Sequence, residues 1–180
     1  RRDELQKASM KYYQFLAEKV NVLGSNKTEY FTVSSEDNKI RVQVRPIKDK
    51  GKDTGAVMYD RLFDPNETEE IRLYGFRGND RFHIDADAKR KILVRVIGGK
   101  GADTFKVSGN IKNYLYDQTS ENNYLHKGKK SKMRFSEDPL VNYFDYNEYR
   151  YNIWRFPRIS IGYNGDDGFM IGGGFWRSAS

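Results

Sequence analysis

A glycine- and aspartate-containing turn that occurs twice, 23 residues apart, constrains the fold of this chain more than any other feature. The copies, GFRGNDRF and GGKGADTF, each lie between two short apolar segments, and a third, partial copy, NIKNYLYDQT, follows. The matching positions are Gly75, Gly78, Asp80 and Phe82 in the first copy and Gly98, Gly101, Asp103 and Phe105 in the second. A repeat of about this length is typical of one coil of a parallel β-solenoid, where each coil buries its apolar side on its neighbour.

Two copies are also compatible with two hairpins of a β-sandwich, so a stacked-coil body and a sandwich body both remain open. If the coils stack, Asp80 and Asp103 occupy equivalent positions of successive coils, about 4.8 Å apart at the backbone. We therefore predict that the two turns are neighbours in space.

Composition supports a mainly β chain. The 180 residues include 13 Tyr, 11 Phe, 2 Trp and 16 Gly, which favours strands and turns and argues against disorder. No run of about 18 apolar residues predicts a transmembrane helix. The absence of Cys excludes a disulfide scaffold, a thiol nucleophile and a thiolate zinc site. The net charge of +7 permits anionic partners but identifies none.

Three regions are predicted along the chain. Residues 1–24 read as a helix, with apolar residues at helical spacing and Gly24 as its stop, and we expect it to pack on a sheet. The spaced residues are Leu5, Ala8, Tyr12, Phe15, Leu16 and Val20. Residues 25–141 form the β-rich body, which begins with a hairpin that turns at Asp37 and Asn38.

Residues 142–180 form the third region, an aromatic hairpin. Its first part is crowded with aromatic residues: Tyr143, Phe144, Tyr146, Tyr149, Tyr151, Trp154 and Phe156. Two alternating segments then flank an N-G-D-D-G turn at residues 164–168. Such strands suit the edge of a bilayer-facing barrel or a soluble sheet. Their apolar residues need a cover, which predicts either packing on the chain's own sheet or a homodimer through this hairpin. Those residues are Ile159, Ile161, Phe169, Ile171 and Phe175.

Catalytic patterns are hard to find, and we expect the chain itself not to be an enzyme. It has no activated-serine pattern and no phosphate-binding glycine loop. His83 lies in an alternating strand and reads as a structural imidazole, while His126 reads as solvated. The basic segment HKGKKSKMRF reads as a solvated loop, and no nucleic acid partner is expected.

A metal site is the one cofactor question that the turns raise. GGKGADTF resembles the GGxGxDxU nonapeptide of calcium-binding RTX repeats, whereas GFRGNDRF has Phe76 in place of the second glycine. The resemblance implies a calcium site at Asp80 and Asp103, with the loop glycines Gly78 and Gly101. In the alternative, the two carboxylates hydrogen-bond turn N–H groups and the glycines supply positive φ angles. No other cofactor is expected.

The order of the motifs across nearly the whole chain resembles a module of large envelope proteins of Bacteroidota. The residues that carry the resemblance are RRDELQKASMKYYQFLAEKVNVLGSNKTEYF, ETEEIRLYGFRGNDRF, VRVIGGKGADTF, NYFDYNEYRYN and ISIGYNGDDGFMIGGGF. In those proteins the module stands between a calcineurin-like metallophosphoesterase domain and a surface-antigen-type outer-membrane β-barrel.

The resemblance implies a non-catalytic connecting or positioning domain on the periplasmic side of the outer membrane, with the neighbouring domains of its parent chain as partners. Residues 158–176 would approach the barrel. The D-x-H and G-N-H-[DE] metal motifs of the phosphoesterase are absent, so the resemblance implies no catalytic residue here. A calcium-dependent, RTX-like binding module is the alternative function.

Overall fold

The computed structural model describes residues 1–48, 53–88, 92–146, 157–164 and 168–175. The chain divides into two compact units, Arg1–Phe144 and Asp145–Ser180. The structure confirms a mainly β chain with one N-terminal helix and a C-terminal hairpin. The elements are α1 (Arg2–Glu18), β1 (Lys19–Leu23), β2 (Glu29–Glu36), β3 (Lys39–Lys48), β4 (Asp53–Thr54), β5 (Tyr59–Phe63), β6 (Glu70–Tyr74), β7 (Arg81–Asp85), β8 (Leu93–Ile97), β9 (Thr104–Val107), β10 (Lys112–Tyr116), β11 (Tyr124–His126), β12 (Ser131–Met133), a 3-10 turn (Pro139–Asn142), β13 (Pro157–Asn164) and β14 (Gly168–Phe175).

The first unit is a stack of coils, not a sandwich of hairpins. One sheet, here called sheet A, has the parallel order β1-β6-β8-β10-β12. In the other, sheet B, strands β11, β9, β7 and β2 are also parallel in that order. Each coil therefore consists of a strand of sheet A, a corner, and a strand of sheet B. The four pairs are β1 with β2, β6 with β7, β8 with β9 and β10 with β11.

An antiparallel insertion separates the first coil from the second. Strand β3 pairs with β2 along the whole length of β2, and β4 and β5 pair with β3. The tight turn from β2 into β3 places Asp37 and Asn38 at φ angles of 49° and 64°, which Asp and Asn tolerate better than most residues. The insertion covers the edge of β2 that would otherwise expose unpaired backbone groups.

The core lies between sheets A and B. Phe31, Phe82 and Phe105 stack through three successive coils, with ring centroids 4.7 Å and 5.4 Å apart. Sheet A supplies an aliphatic row in register: Val22, Leu73, Val96 and Leu115. All of these side chains are at most 1% exposed. Burying each contributes roughly 1.5–3 kcal/mol of hydrophobic free energy, so the stacking of identical positions stabilises the unit.

The helix differs from its prediction in length and in packing. It ends at Glu18, and the chain passes directly into β1, so residues 19–23 belong to the sheet. Gly24 lies at the first corner, where an added Cβ would contact the ring of Phe31 at 2.8 Å. Leu5 and Tyr12 are 71% and 64% exposed, and Ala17 is the buried residue of α1. Helical periodicity identified an apolar face but not whether a sheet covers it.

The second unit contains an antiparallel pair, β13 with β14, in which Ile161 faces Ile171 and Tyr163 faces Phe169. All four side chains are at least 69% exposed. The turn between the strands, and most of the aromatic segment before them (residues 147–156), lie outside the described residues. No helix in the described parts of the chain is long and apolar enough to cross a membrane.

Candidate functional site

The repeated turns form one corner of the coils, between sheets A and B. Gly78 and Gly101 have φ angles of +125° and +151°, which L side chains rarely adopt. A Cβ on Gly78 would lie 2.7 Å from the Lys27 carbonyl oxygen, and one on Gly101 would overlap the carbonyl of Gly78. Phe76, the departure from the glycine pattern, adopts a φ angle of 68° in the same left-handed region. The glycines thus allow the backbones of successive corners to touch.

The prediction that the turns of Asp80 and Asp103 are neighbours in space is confirmed. The Asp80 N–H donates to Oδ1 of Asp103 over 2.7 Å, and the flanking residues Arg81 and Thr104 are paired in register. Both aspartates are buried, with at most 1% exposure. The sequence repeat therefore marks equivalent positions of adjacent coils.

The contact between these two residues is one step of a ladder that runs through all four coils. The Glu29 N–H donates to Asp80 Oδ1, and the Asp103 N–H donates to Asn123 Oδ1, each over 2.7 Å. We call Glu29, Asp80, Asp103 and Asn123 the corner ladder. Each side chain from the second coil onward accepts the backbone N–H of the equivalent residue one coil earlier. These bonds satisfy a buried backbone N–H group at each junction between coils, so the ladder joins the coils.

The second carboxylate oxygens have a different environment. Oδ2 of Asp80, Asp103 and Asp117 is buried, and none of the three has a hydrogen-bond partner among the described residues. Oδ2 of Asp80 and the Gly98 carbonyl oxygen both lie next to the position that a Cβ on Gly75 would occupy. Oδ2 of Asp103 and of Asp117 converge in the same way beside Gly98. Acceptor oxygens that face each other need a proton or a cation between them.

Burial of these carboxyl groups favours their neutral forms. Loss of hydration raises the pKa of Asp80 from 3.8 to about 9, and the nearby Asp103 and Glu29 carboxylates add to this against the hydrogen bond from the Glu29 N–H. Burial also raises the pKa values of Asp103 and Asp117, with further contributions from Glu121 and from Asp103 respectively. The corner is a place where protons are held near neutral pH.

The calcium prediction can be compared with this geometry. Oδ1 of each predicted ligand, Asp80 and Asp103, already accepts a backbone N–H, and Gly78 and Gly101 supply positive φ angles, as the structural alternative requires. Within the described part of the chain, no three His, Cys, Asp or Glu side chains are arranged as a metal site. The unpartnered Oδ2 atoms are the groups that a cation would contact. A calcium site remains a prediction.

Sequence reasoning missed four members of this corner, of which Glu29 begins the ladder. Asp117 takes the place of the corner glycine in the fourth coil, where the Asn142 amide donates to its Oδ1 over 3.1 Å. Glu121 accepts the Gly101 N–H over 3.2 Å, and Asn123 ends the ladder. The partial third copy of the turn was the signal that could have identified them. Asn123 follows Asp103 by 20 residues instead of 23, so alignment at a constant offset did not show that the two positions are equivalent.

The two histidines lie away from the corner. Nδ1 of His83 is 3.0 Å from the Tyr30 hydroxyl oxygen, and the ring is partly buried in sheet B. His126 is exposed at the end of β11. Asp166 and Asp167, the two aspartates of the N-G-D-D-G turn, lie outside the described residues.

In comparisons with known proteins, no family model, no curated protein and no solved structure matches this chain.

Proposed function

We propose that this chain is a non-catalytic connecting domain that positions the neighbouring domains of a larger protein on the periplasmic side of an outer membrane. The observation that carries the proposal is the direct passage of α1 into sheet A. Lys19 both follows the helix as its C-cap and pairs with Glu70 as the first residue of β1. Because no loop separates helix from sheet, the coils hold the direction of the helix.

The exposed helix supports a role in holding a neighbour. Leu5, Tyr12 and Leu16 are each at least 48% exposed on α1, and a fixed helix with uncovered apolar side chains is suited to packing against another domain. The backbone N–H groups of the corner ladder donate from one coil to the next, which is a structural role. The resemblance to the Bacteroidota module assigns the neighbours proposed here: a metallophosphoesterase domain on one side and a barrel on the other.

Rigid positioning can be measured by electron paramagnetic resonance, because the chain contains no Cys. Spin labels on Lys7→Cys in α1 and Lys106→Cys in β9 should give one narrow distance distribution in double electron–electron resonance. Insertion of two glycines between Glu18 and Lys19 should broaden it, whereas labels at Lys39 and Lys106 should be unaffected by that insertion. A broad distribution in the chain without the insertion would contradict a positioning role.

The cellular placement needs a separate experiment. An antibody raised against this chain should detect the whole gene product in the outer-membrane fraction of the cell. Recovery in the cytoplasmic fraction would refute the proposed location while leaving the rigidity measurement intact.

A calcium-dependent binding module is the second candidate, and the buried Oδ2 atoms of Asp80 and Asp103 favour it. A cation that binds only the folded chain raises its thermal midpoint. Calcium should then raise the unfolding temperature of the wild type relative to a chelator, and the Asp80→Asn/Asp103→Asn variant should show no rise. If calcium does not change the unfolding temperature of the wild type, the two aspartates have only a structural role, as acceptors of backbone N–H groups.

A further inference from the structure

The outer face of sheet A carries a cluster of positive charge around one tyrosine. Tyr114 in β10 is paired in register with Arg95 in β8 and Lys132 in β12. The charged groups of Arg95, Lys112, Lys132 and Arg134 lie 5.4–5.8 Å from the centre of its ring. We call these five residues the Tyr114 patch. The segment that contains Lys132 was expected to be a solvated loop, but it includes a strand, β12, that completes this face.

Most of this charge lacks an acidic partner. Glu70 forms ion pairs with Arg72 and Arg95, with Nε–Oε1 distances of 2.5 Å and 2.8 Å. No ion pair compensates Lys112, Lys132 or Arg134 in the described part of the chain. Hydrogen bonding from Lys112 and the charges of Lys112, Lys132 and Arg134 lower the pKa of Tyr114. Three exposed cations gathered at one ring repel one another unless an anion lies among them.

The surroundings restrict the class of anion. The faces of the Tyr114 ring are next to cations, so the ring does not offer the free surface on which a nucleic acid base stacks. Met133, the exposed apolar residue between Lys132 and Arg134, is in register with the buried Leu115 and so faces away from Tyr114. The patch therefore has no apolar anchor for insertion into lipid. What remains is an array of Lys and Arg donors on neighbouring strands, whose backbones are about 4.8 Å apart.

We propose that the Tyr114 patch binds a linear acidic polysaccharide through the sulfate, phosphate or carboxylate groups of successive sugars. Lys112, Lys132 and Arg134 supply the charge, since Lys and Arg are the usual partners of such oxyanions. Glu70 keeps the Arg95 guanidinium in place, and Arg95 in turn donates to the Tyr116 hydroxyl over 2.5 Å. The ligand lies across the strands of sheet A, from β10 toward β12.

The test uses a size-defined heparin oligosaccharide as the probe, with binding to the whole chain measured by isothermal titration calorimetry. The variant Lys112→Gln/Lys132→Gln/Arg134→Gln should bind at least about tenfold more weakly, and its salt dependence between about 50 and 200 mM NaCl should fall by about one unit of slope per cation removed. The control Lys7→Gln/Lys11→Gln/Lys39→Gln removes the same charge from exposed lysines elsewhere. It should change affinity less than about twofold.

Three comparisons could overturn the proposal. An equal loss in the control triple variant would show that net charge alone attracts heparin. Equal or tighter binding of a single-stranded DNA of matched charge, or of vesicles that contain phosphatidylglycerol, would assign the patch to another class of ligand. Unchanged heparin affinity in the patch variant would also refute it. Circular dichroism and thermal unfolding establish that each variant is folded, and the single variant Lys132→Gln should show a smaller loss in the same direction.

Discussion

Replacement of Asp80 with Asn tests the charge state of the corner ladder. Asn retains an oxygen to accept the Glu29 N–H, the bond that Asp80 Oδ1 now accepts over 2.7 Å. Its NH₂ group takes the place of Oδ2 and faces the Gly98 carbonyl oxygen beside Gly75. The chain already uses an amide at this position of the fourth coil, where Asn123 accepts the Asp103 N–H. We therefore expect the variant to fold with its ladder intact.

The expected effect follows from the raised pKa of Asp80. A carboxyl whose pKa is 3.8 in the unfolded chain and about 9 in the folded one binds its proton more tightly when folded. Its contribution to stability is fully present below the unfolded pKa and is lost as pH rises toward the folded pKa. Within that window the free energy of unfolding falls by about 1.4 kcal/mol per pH unit for each such group. Asn does not titrate, so this part of the pH dependence disappears in the variant.

Urea unfolding at pH 5.5 and pH 7.5 measures the difference. Across these two pH units the free energy of unfolding of the wild type should fall by about 3 kcal/mol more than that of Asp80→Asn. The stability of the variant relative to the wild type therefore increases as pH rises. In thermal scans the same difference corresponds to roughly 6–12 °C for a unit of this size. Asp85→Asn is the matched control, because Asp85 is exposed at the far end of β7. It should follow the wild-type pH profile.

Parallel pH profiles for wild type and Asp80→Asn would refute the reasoning. They would mean that Asp80 is ionised in the folded chain, with its charge compensated by something other than a proton. If added calcium then raised the free energy of unfolding of the wild type and not that of Asp80→Asn, the cation would be that compensating group. The experiment thus separates a proton-held ladder from a cation-held one.

Three further predictions concern other parts of the chain. Gly98→Ala should destabilise the first unit by about 1–3 kcal/mol in urea unfolding, because the added Cβ would contact the carboxylate oxygens of Asp103 and Asp117. Gly173→Ala is the control, because nothing lies within 4 Å of a Cβ added there. Equal losses of stability in the two variants would contradict the proposed steric conflict at Gly98. Deletion of residues 157–180 should leave the body folded and make the chain more monomeric in light scattering, because the hairpin that would join two copies is gone. If the truncated chain unfolds, the hairpin belongs to the core. The purified chain should not hydrolyse p-nitrophenyl phosphate with manganese, because this chemistry needs a cluster of metal ligands that orients hydroxide; turnover above the buffer rate would contradict the non-catalytic assignment.

The second and third coils were predictable because their spacing and corner chemistry agree. Their ladder residues are 23 positions apart, and both are aspartates. The other steps of the ladder span 51 and 20 positions, because β3–β5 are inserted after the first coil and the fourth coil is shorter. Glu29 and Asn123 also replace aspartate at these steps. The sequence therefore did not reveal that Glu29 and Asn123 are equivalent to the two aspartates, because both the interval and the residue type change at these steps.

The helix shows a different limit of sequence reasoning. The spacing of Leu5, Tyr12 and Leu16 predicts an amphipathic face, which depends only on local geometry. Whether a sheet covers that face depends on where β1 directs the helix, and this is a property of the register between Lys19 and Glu70. The same limit applies to β12, which is too short for an alternating pattern and forms because β10 offers a free edge.

The corner glycines explain why the ladder can contain carboxyl groups at all. Gly24, Gly75 and Gly98 are in register at the ends of successive strands of sheet A, and in the fourth coil Asp117 continues the row. A side chain on Gly75 or Gly98 would occupy the space that the Oδ2 atoms of the ladder now fill. Where the glycine is replaced, Asp117 brings another carboxyl group beside Asp103, and the charge of Asp103 adds to burial in raising the pKa of Asp117. The residues that join the coils therefore make the stability of the unit depend on pH.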